Sequence, residues 1–342
     1  MVAKSKRKPC VLLDPHGRAL KDIFRPEDVR RLHRIADVVW GKDEPAPPAV
    51  LRSCRRRVDA IVAGNWRHGR VEDWPRLKTI MEVGGMFVSL QGLDFDACFR
   101  RGVRVLCCGP AFAPAVAEMA LGLTLAAARG IVAEDRAVHA GQEQWTFRGA
   151  VATYSLRRQR VGFIGFGAIA QALKPLLTPF DCRLQAYDPW LEPAELEAQG
   201  VMPVPLDRLL RTSKVIFVLA APAPENAGML DAAKLRLIRR GALLVLVSRA
   251  SVVDFDALTD LILKGRLAAA IDVFPKEPLA KDHPIRQSAN AILTPHRAGS
   301  LGRIDIGRGV VDDLAAIFAG REPARMKLAT PSLVRRLLES PA

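Results

Sequence analysis

Three polar residues follow three short apolar runs in the second half of the chain. Arg249 follows the run 243–247, Glu277 follows 268–273 within DVFPKEP, and His296 follows 291–293 within TPHRAG. Their side chains form a coherent chemical set. A guanidinium fork grips a carboxylate through two parallel hydrogen bonds and polarises a neighbouring carbonyl. An imidazole gives or takes a proton near neutral pH. A carboxylate beside that imidazole fixes its tautomer and favours the protonated ring. Each residue alone has a plainer reading: Arg249 as a surface ion-pair partner, Glu277 as a loop acid before Pro278, His296 as a loop histidine after Pro295. His283, in another His-Pro pair, reads as structural. The set acquires meaning only if one element brings the three together, because strands of a parallel sheet end at one edge.

That element is announced at 160–188, RVGFIGFGAIAQALKPLLTPFDCRLQAYD. A strand-length apolar run, 161–164, leads to Gly165 and Gly167, with Ala170 where a third small residue belongs. A helical pattern follows, then a second strand, then Asp188. Strand, tight glycine turn, helix, strand and acid make up the dinucleotide-binding βαβ unit. Gly165 permits the tight turn, and Gly167 lets backbone approach a pyrophosphate. Ala170 lets the helix pack close to the strand, and the amides at the helix start face the phosphates. Asp188 accepts from both ribose hydroxyls and repels a 2′-phosphate, favouring NAD over NADP; a nearby arginine can offset that repulsion. With Arg249, Glu277 and His296 beside the nicotinamide, the implied reaction is 2-oxo acid, NADH and a proton giving 2-hydroxy acid and NAD. Asp272, at the end of its strand, either holds the nicotinamide carboxamide or acts as a structural cap.

The length of 342 residues suggests two domains, and 49% apolar residues support sizeable cores. Six cysteines are scattered except for Cys107-Cys108, and no metal-ligand spacing occurs. They read as reduced thiols of a cytoplasmic protein, with no metal expected. The basic N-terminus precedes an apolar run of only 11–13, too short for a signal peptide. The apolar stretch 111–128 contains Glu118 and is closed by Arg129, which favours a buried helix over a membrane span. The net charge of +15 is spread along the chain, densest at 52–57. With no zinc-finger or RNA-binding signature, it reads as a solvated basic surface suited to small anions, not nucleic acid.

Strands are expected at 10–14, 58–63, 79–83 and 103–107. Helices are expected at 26–39, with Val29, Leu32, Ile35 and Val39 in helical register, and at 114–132, leading to a loop with Trp145. Residues 41–49 read as a Pro-rich loop. After Asp188 the alternation gives helices at 206–210, 230–238, 255–264 and 303–318 and strands at 215–220, 243–247, 268–273 and 291–293, about six strands in one sheet. The fold class is α/β, with a domain boundary near residue 110. Two segments at strand ends, 63–66 and 84–87, read as substrate-facing loops.

At these motifs the chain resembles the D-isomer-specific 2-hydroxyacid dehydrogenases, the family of D-lactate, D-glycerate, phosphoglycerate and formate dehydrogenases. The resemblance rests on VGFIGFGAIAQAL with YDP at 187–189, LVSRASVVDFDAL, AAAIDVFPKEPLAKDHPI and AILTPHRAG. Val116-Ala117-Glu118 and the helix after it look like the family's interdomain helix. The resemblance implies two Rossmann-like domains with doubly wound parallel sheets. The substrate domain would be discontinuous, 1–110 with 300–342, around an NAD-binding domain at 111–299. It implies Arg249 as substrate-binding arginine, His296 as acid–base and Glu277 as its partner. Gly165, Gly167, Ala168, Ile169, Asp188, Ala221, Ser248, Asp272 and Gly299 would line NAD, and Gly85 and Met86 the substrate. It also implies a homodimer joined through the cofactor domains.

Three departures stand out. The family's Arg-Gly is Arg249-Ala250 here, where a methyl group could crowd the backbone. The polar residue after the second motif glycine is Ala168. The loop GGMFVSLQGLDFD lacks the family's Asp-Asn pair, and Met86 and Phe87 favour an apolar side chain on the 2-oxo acid. A catalytically weak NAD(H)-sensing protein of the corepressor kind, on the same fold, is the alternative.

Overall fold

The computed structural model describes residues 7–145 and 153–338. The basic positions 1–6 and the end of the expected 300–342 segment lie outside the described residues. The chain forms two compact units, one from Met1–Ala113 with Ser300–Ser340 and the other from Pro114–Gly299.

In the first unit, β1 (Cys10–Asp14), β2 (Asp37–Trp40), β3 (Ala60–Ala63), β4 (Thr79–Glu82) and β5 (Arg104–Cys107) pair in parallel in the order β5-β4-β3-β1-β2. A two-residue strand, Lys327–Leu328, joins antiparallel to β5, so this sheet is not wholly parallel. The strands are short, almost purely apolar runs because both faces are covered. Leu12, Ile61 and Ile80 pack with Trp74 on one face. Val11, Val62 and Met81 pack with Ile306, Val310 and Leu314 on the other. The helix expected at 26–39 stops at Ile35, and the β-branched pair Val38-Val39 joins β2 instead. The region read as loop to residue 49 already starts a helix, Pro48–Cys54, with proline in its first turn.

The second unit holds β6 (Arg160–Ile164), β7 (Arg183–Tyr187), β8 (Met202–Pro203), β9 (Val215–Val218), β10 (Leu243–Leu246), β11 (Ala268–Ile271) and β12 (Ala291–Leu293). Their order is β12-β11-β10-β9-β6-β7-β8, parallel throughout. This is a doubly wound sheet whose order reverses between β6 and β9, where such sheets bind ligands. The expected count of six strands misses β8, a two-residue edge strand ending in proline, too short to leave a pattern. The helix expected at 114–132 is two, Ala113–Ala128 and Ile131–His139, separated by Gly130 in the left-handed region at φ +66°. The helix expected at 230–238 contracts to Ala232–Arg236. Asp231 caps it by accepting from the Lys234 amide at 2.7 Å. The helix expected from residue 303 begins at Ile306, after a 3₁₀ segment Ser300–Asp305.

The stretch Gly109–Ala128 is long and apolar enough to cross a membrane by length and composition alone, and 39% of it is buried. All six cysteines are free.

Candidate active site

The glycine turn lies between the ends of β6 and β9. Gly165 has φ +86°, and a Cβ there would stand 2.6 Å from Ala220 Cα. Conformation and space therefore both demand glycine. A Cβ on Gly167 would meet nothing within 4 Å. Gly167 opens the helix Ala168–Leu177, and no side chain among the described residues caps it. The first-turn amides of Ala168 and Ile169 thus remain as donors without an intrahelical partner. Open space beside a glycine turn at an uncapped helix start fits a dinucleotide pyrophosphate.

Asp188 follows β7. Its Oδ2 accepts from the Phe166 amide at 2.7 Å and its Oδ1 from the Trp190 amide at 2.8 Å. One carboxylate therefore clamps the glycine turn to the end of β7, with acceptor capacity left on each oxygen for ribose hydroxyls. It borders a crevice shared with Tyr187, Trp190, Ala221 and Met229. The Ala221 carbonyl accepts from Asn226 Nδ2 at 3.0 Å. Asn226 and Trp190, whose indole N–H donates to Glu225, are crevice residues that sequence reasoning missed. Neither carries a spacing signal.

At the far side of this sheet, His296 Nδ1 lies 2.7 Å from Glu277 Oε2. The Phe274 amide donates to the other oxygen, Oε1, at 3.0 Å, so Glu277 is held from both sides. Their side chains are 41% and 37% exposed, open to a reactant. Partial burial pushes the Glu277 carboxyl up. The His296 hydrogen bond, the Phe274 amide, and the charges of His296 and Arg249 more than offset this, and it titrates below the ordinary carboxylate value. Arg249 follows β10 and donates from Nη1 to the Ser248 carbonyl at 2.7 Å. Burial lowers its guanidinium and the Glu277 charge works against that. A cavity beside the pair has Phe274, Leu279 and Leu293 as apolar wall and Arg286 and His296 as polar wall.

The placement of His296 depends on Asp272. His296 has φ +52°, a conformation that costs a non-glycine residue free energy. Asp272 is fully buried. Its Oδ1 accepts from Thr294 Oγ1 at 2.6 Å and the Arg297 amide at 2.8 Å, and its Oδ2 from the Ala298 amide at 2.9 Å. Its own carbonyl accepts from the His296 amide at 2.8 Å. Asp272 is thus the organiser of the turn bearing His296, with Gly299 directly beyond it. Buried Ser248 donates from Oγ to the Val218 carbonyl at 2.9 Å, tying the ends of β10 and β9. Ala250 has no left-handed φ, and its methyl is buried in the core of this unit. His283 accepts from the Ile285 amide at 3.3 Å and packs on Phe255, a structural arrangement.

In the first unit, residues 63–66 and 84–87 follow β3 and β4. Gly85 has φ +111°. Phe87 is buried against Phe95, so Met86 alone of the expected apolar pair remains partly exposed. Among the described residues, no group of three His, Cys, Asp or Glu could hold a metal ion.

A profile described as D-isomer specific 2-hydroxyacid dehydrogenase, NAD binding domain, matches residues 121–298. The chain is 32% identical over 313 residues to the D-3-phosphoglycerate dehydrogenase of Mycobacterium bovis, covering 88% of this chain and 56% of that protein. It thus spans little more than half the length of that relative. It is 29% identical over 329 residues to the glyoxylate reductase of Aeropyrum pernix, covering 92% of this chain and 94% of that one. Among solved structures it is similar to a phosphoglycerate oxidoreductase from Rhizobium etli. The TM-score is 0.83 and the identity 34%, over 94% of this chain and 98% of the other.

Proposed function

Because the chain belongs to the D-isomer specific 2-hydroxyacid dehydrogenase family, whose cofactor is NAD(H), we propose that it is an NAD-dependent D-2-hydroxyacid dehydrogenase working as a 2-oxo acid reductase. The observation that carries this is the 2.7 Å His296–Glu277 pair, with the Arg249 charge acting on the same carboxylate.

When bound, NADH supplies the hydride. Arg249 binds the carboxylate of the 2-oxo acid and polarises the adjacent carbonyl. His296, held through Nδ1 by Glu277, presents Nε2 to the carbonyl oxygen and delivers the proton as the alcohol forms. Glu277 keeps that tautomer and stabilises the ring while it is charged. Asp188 selects NADH over NADPH by repulsion of a 2′-phosphate. Gly85 and Met86 meet the substrate, whose side chain is apolar. A preference for glyoxylate over bulkier acids would count against that side chain. The sensor alternative is not favoured, since the relatives named above are dehydrogenases and reductases.

The working form is a homodimer. Ile131 and Val138, seven residues apart on one helix and each 54% exposed, form an apolar stripe that a second copy would cover. The six free thiols fit a reducing, cytoplasmic setting.

NADH oxidation across glyoxylate, hydroxypyruvate, pyruvate, 2-oxoisocaproate and phenylpyruvate tests the reading. Turnover that falls at least about 1,000-fold in His296→Ala, with NADH affinity retained, is expected. NADH binding without turnover of any of the acids would put the sensor alternative ahead of the dehydrogenase.

A further inference from the structure

Glu82, the last residue of β4, is fully buried, and the reaction above does not use it. Its carboxylate is wrapped by the loop that follows. The Gly85 amide donates to Oε1 at 2.8 Å and to Oε2 at 3.0 Å, and the Gly84 and Met86 amides add further bonds. Three successive amides around one anion form a nest, a concavity that selects negative charge. The glycines are fitted to this anion. A Cβ on Gly84 would stand 2.5 Å from Glu82 Oε1, and Gly85 takes φ +111°. The chain thus fills its own anion nest, and the amides at 84–86 point inward.

Other elements complete the surroundings. From β5, the Cys107 thiol hydrogen-bonds to Glu82, with Cys108 next to it. Burial pushes both thiols well above their ordinary value, so they stay neutral. From the segment after β1, Arg18 donates to the Val83 carbonyl at 2.7 Å and the Gly84 carbonyl at 2.5 Å, holding the outer side of the loop. Ser89 Oγ, like Glu82 Oε1, lies beside the place a Cβ on Gly84 would take, at 2.7 Å from it, and is the neutral polar group there.

We propose that Glu82 is a positioning residue for substrate. Ionised, it clamps the amides of Gly84, Gly85 and Met86 and sets the loop that carries Met86, so its charge state governs how tightly the 2-oxo acid is held. This rests on the assignment of that loop to substrate under the proposed function. Bonds from amides to a carboxylate are about twice as strong as bonds to a neutral acid, so protonation slackens the loop. Burial raises the Glu82 carboxyl to about 7, which puts the change near neutral pH.

The test is equilibrium titration of the His296→Ala enzyme–NADH complex with the best 2-oxo acid of the panel, from pH 5.5 to 8.5. The background takes the acid–base imidazole out of the measurement. Affinity is expected to fall about tenfold from pH 8 to pH 6, while NADH affinity stays level. Adding Glu82→Gln should leave affinity weak and flat with pH. Adding Cys107→Ala removes a bond that favours the ionised acid, so the bend should move to higher pH. This arm decides the matter should Glu82→Gln fail to fold. A bend that survives Glu82→Gln, or that stays in place with Cys107→Ala, overturns the proposal. An enzyme that reduces the acids but binds them evenly across pH sinks this inference alone. An enzyme that reduces none of them sinks the functional reading.

Discussion

At the scale of single residues, the site separates groups that face a reactant from groups that aim them. His296 sits at positive φ and would relax without its turn. Asp272 supplies the compensation through two side-chain oxygens and one carbonyl. Asp272→Ala removes the acceptor of the Arg297 and Ala298 amides and of the Thr294 hydroxyl, and the buried Ala298 amide alone costs about 1–3 kcal/mol. We expect kcat to fall about 100-fold while NADH affinity changes less than about threefold, read by steady-state rates and NADH fluorescence. Glu277→Gln keeps the shape and removes the charge facing Nδ1. A loss of about 10- to 100-fold in kcat with unchanged NADH affinity is the expected result. A substantial loss of NADH affinity would place Glu277 in cofactor binding instead.

At the scale of elements, β6, its glycine turn and the end of β9 act as one piece. Gly162 faces the helix Leu206–Thr212, where an added Cβ would lie 2.4 Å from Ser213 Oγ, and Gly165 faces Ala220. Close approach on both sides explains why small residues punctuate an otherwise bulky apolar strand. Gly165→Ala forces a Cβ into backbone and a side chain into a left-handed conformation. It should lower stability by at least about 2 kcal/mol in denaturant unfolding and weaken NADH at least about tenfold. Rigid backbone offers no cheap relief here, unlike a clash with the tip of a flexible side chain.

At the scale of the molecule, the buried acid of the first unit sets a pH dependence of folding. Its folded-state value of about 7 lies above its ordinary 4.5. The folded state therefore holds the extra proton, and the stability this gives is complete below pH 4.5 and lost as pH rises through 7. Over that window the term amounts to about 3 kcal/mol. Glu82→Gln should thus gain on the wild type in thermal unfolding as pH rises from 5 to 8, even as it loses substrate affinity. A constant difference across pH would show that Glu82 does not carry the term. Much of this was legible beforehand. Gly165, Gly167 and Asp188 declare a dinucleotide unit because short-range sterics and a fixed repeat dictate them. The apolar runs declare β-strands because both faces of the sheet are covered. What stayed illegible depends on partners distant in sequence. Val38 and Val39 went to an edge strand because β1 offered pairing, and β8 was too short to leave a pattern. Phe87 looked like a substrate contact until Phe95 was found to bury it. The sequence by itself determined the α/β class, the nucleotide turn and the candidate trio at strand ends. Only the tertiary structure decided that Asp272 aims His296 and that Glu82 fills the nest at 84–86, because a carboxylate's role is set by which amides surround it.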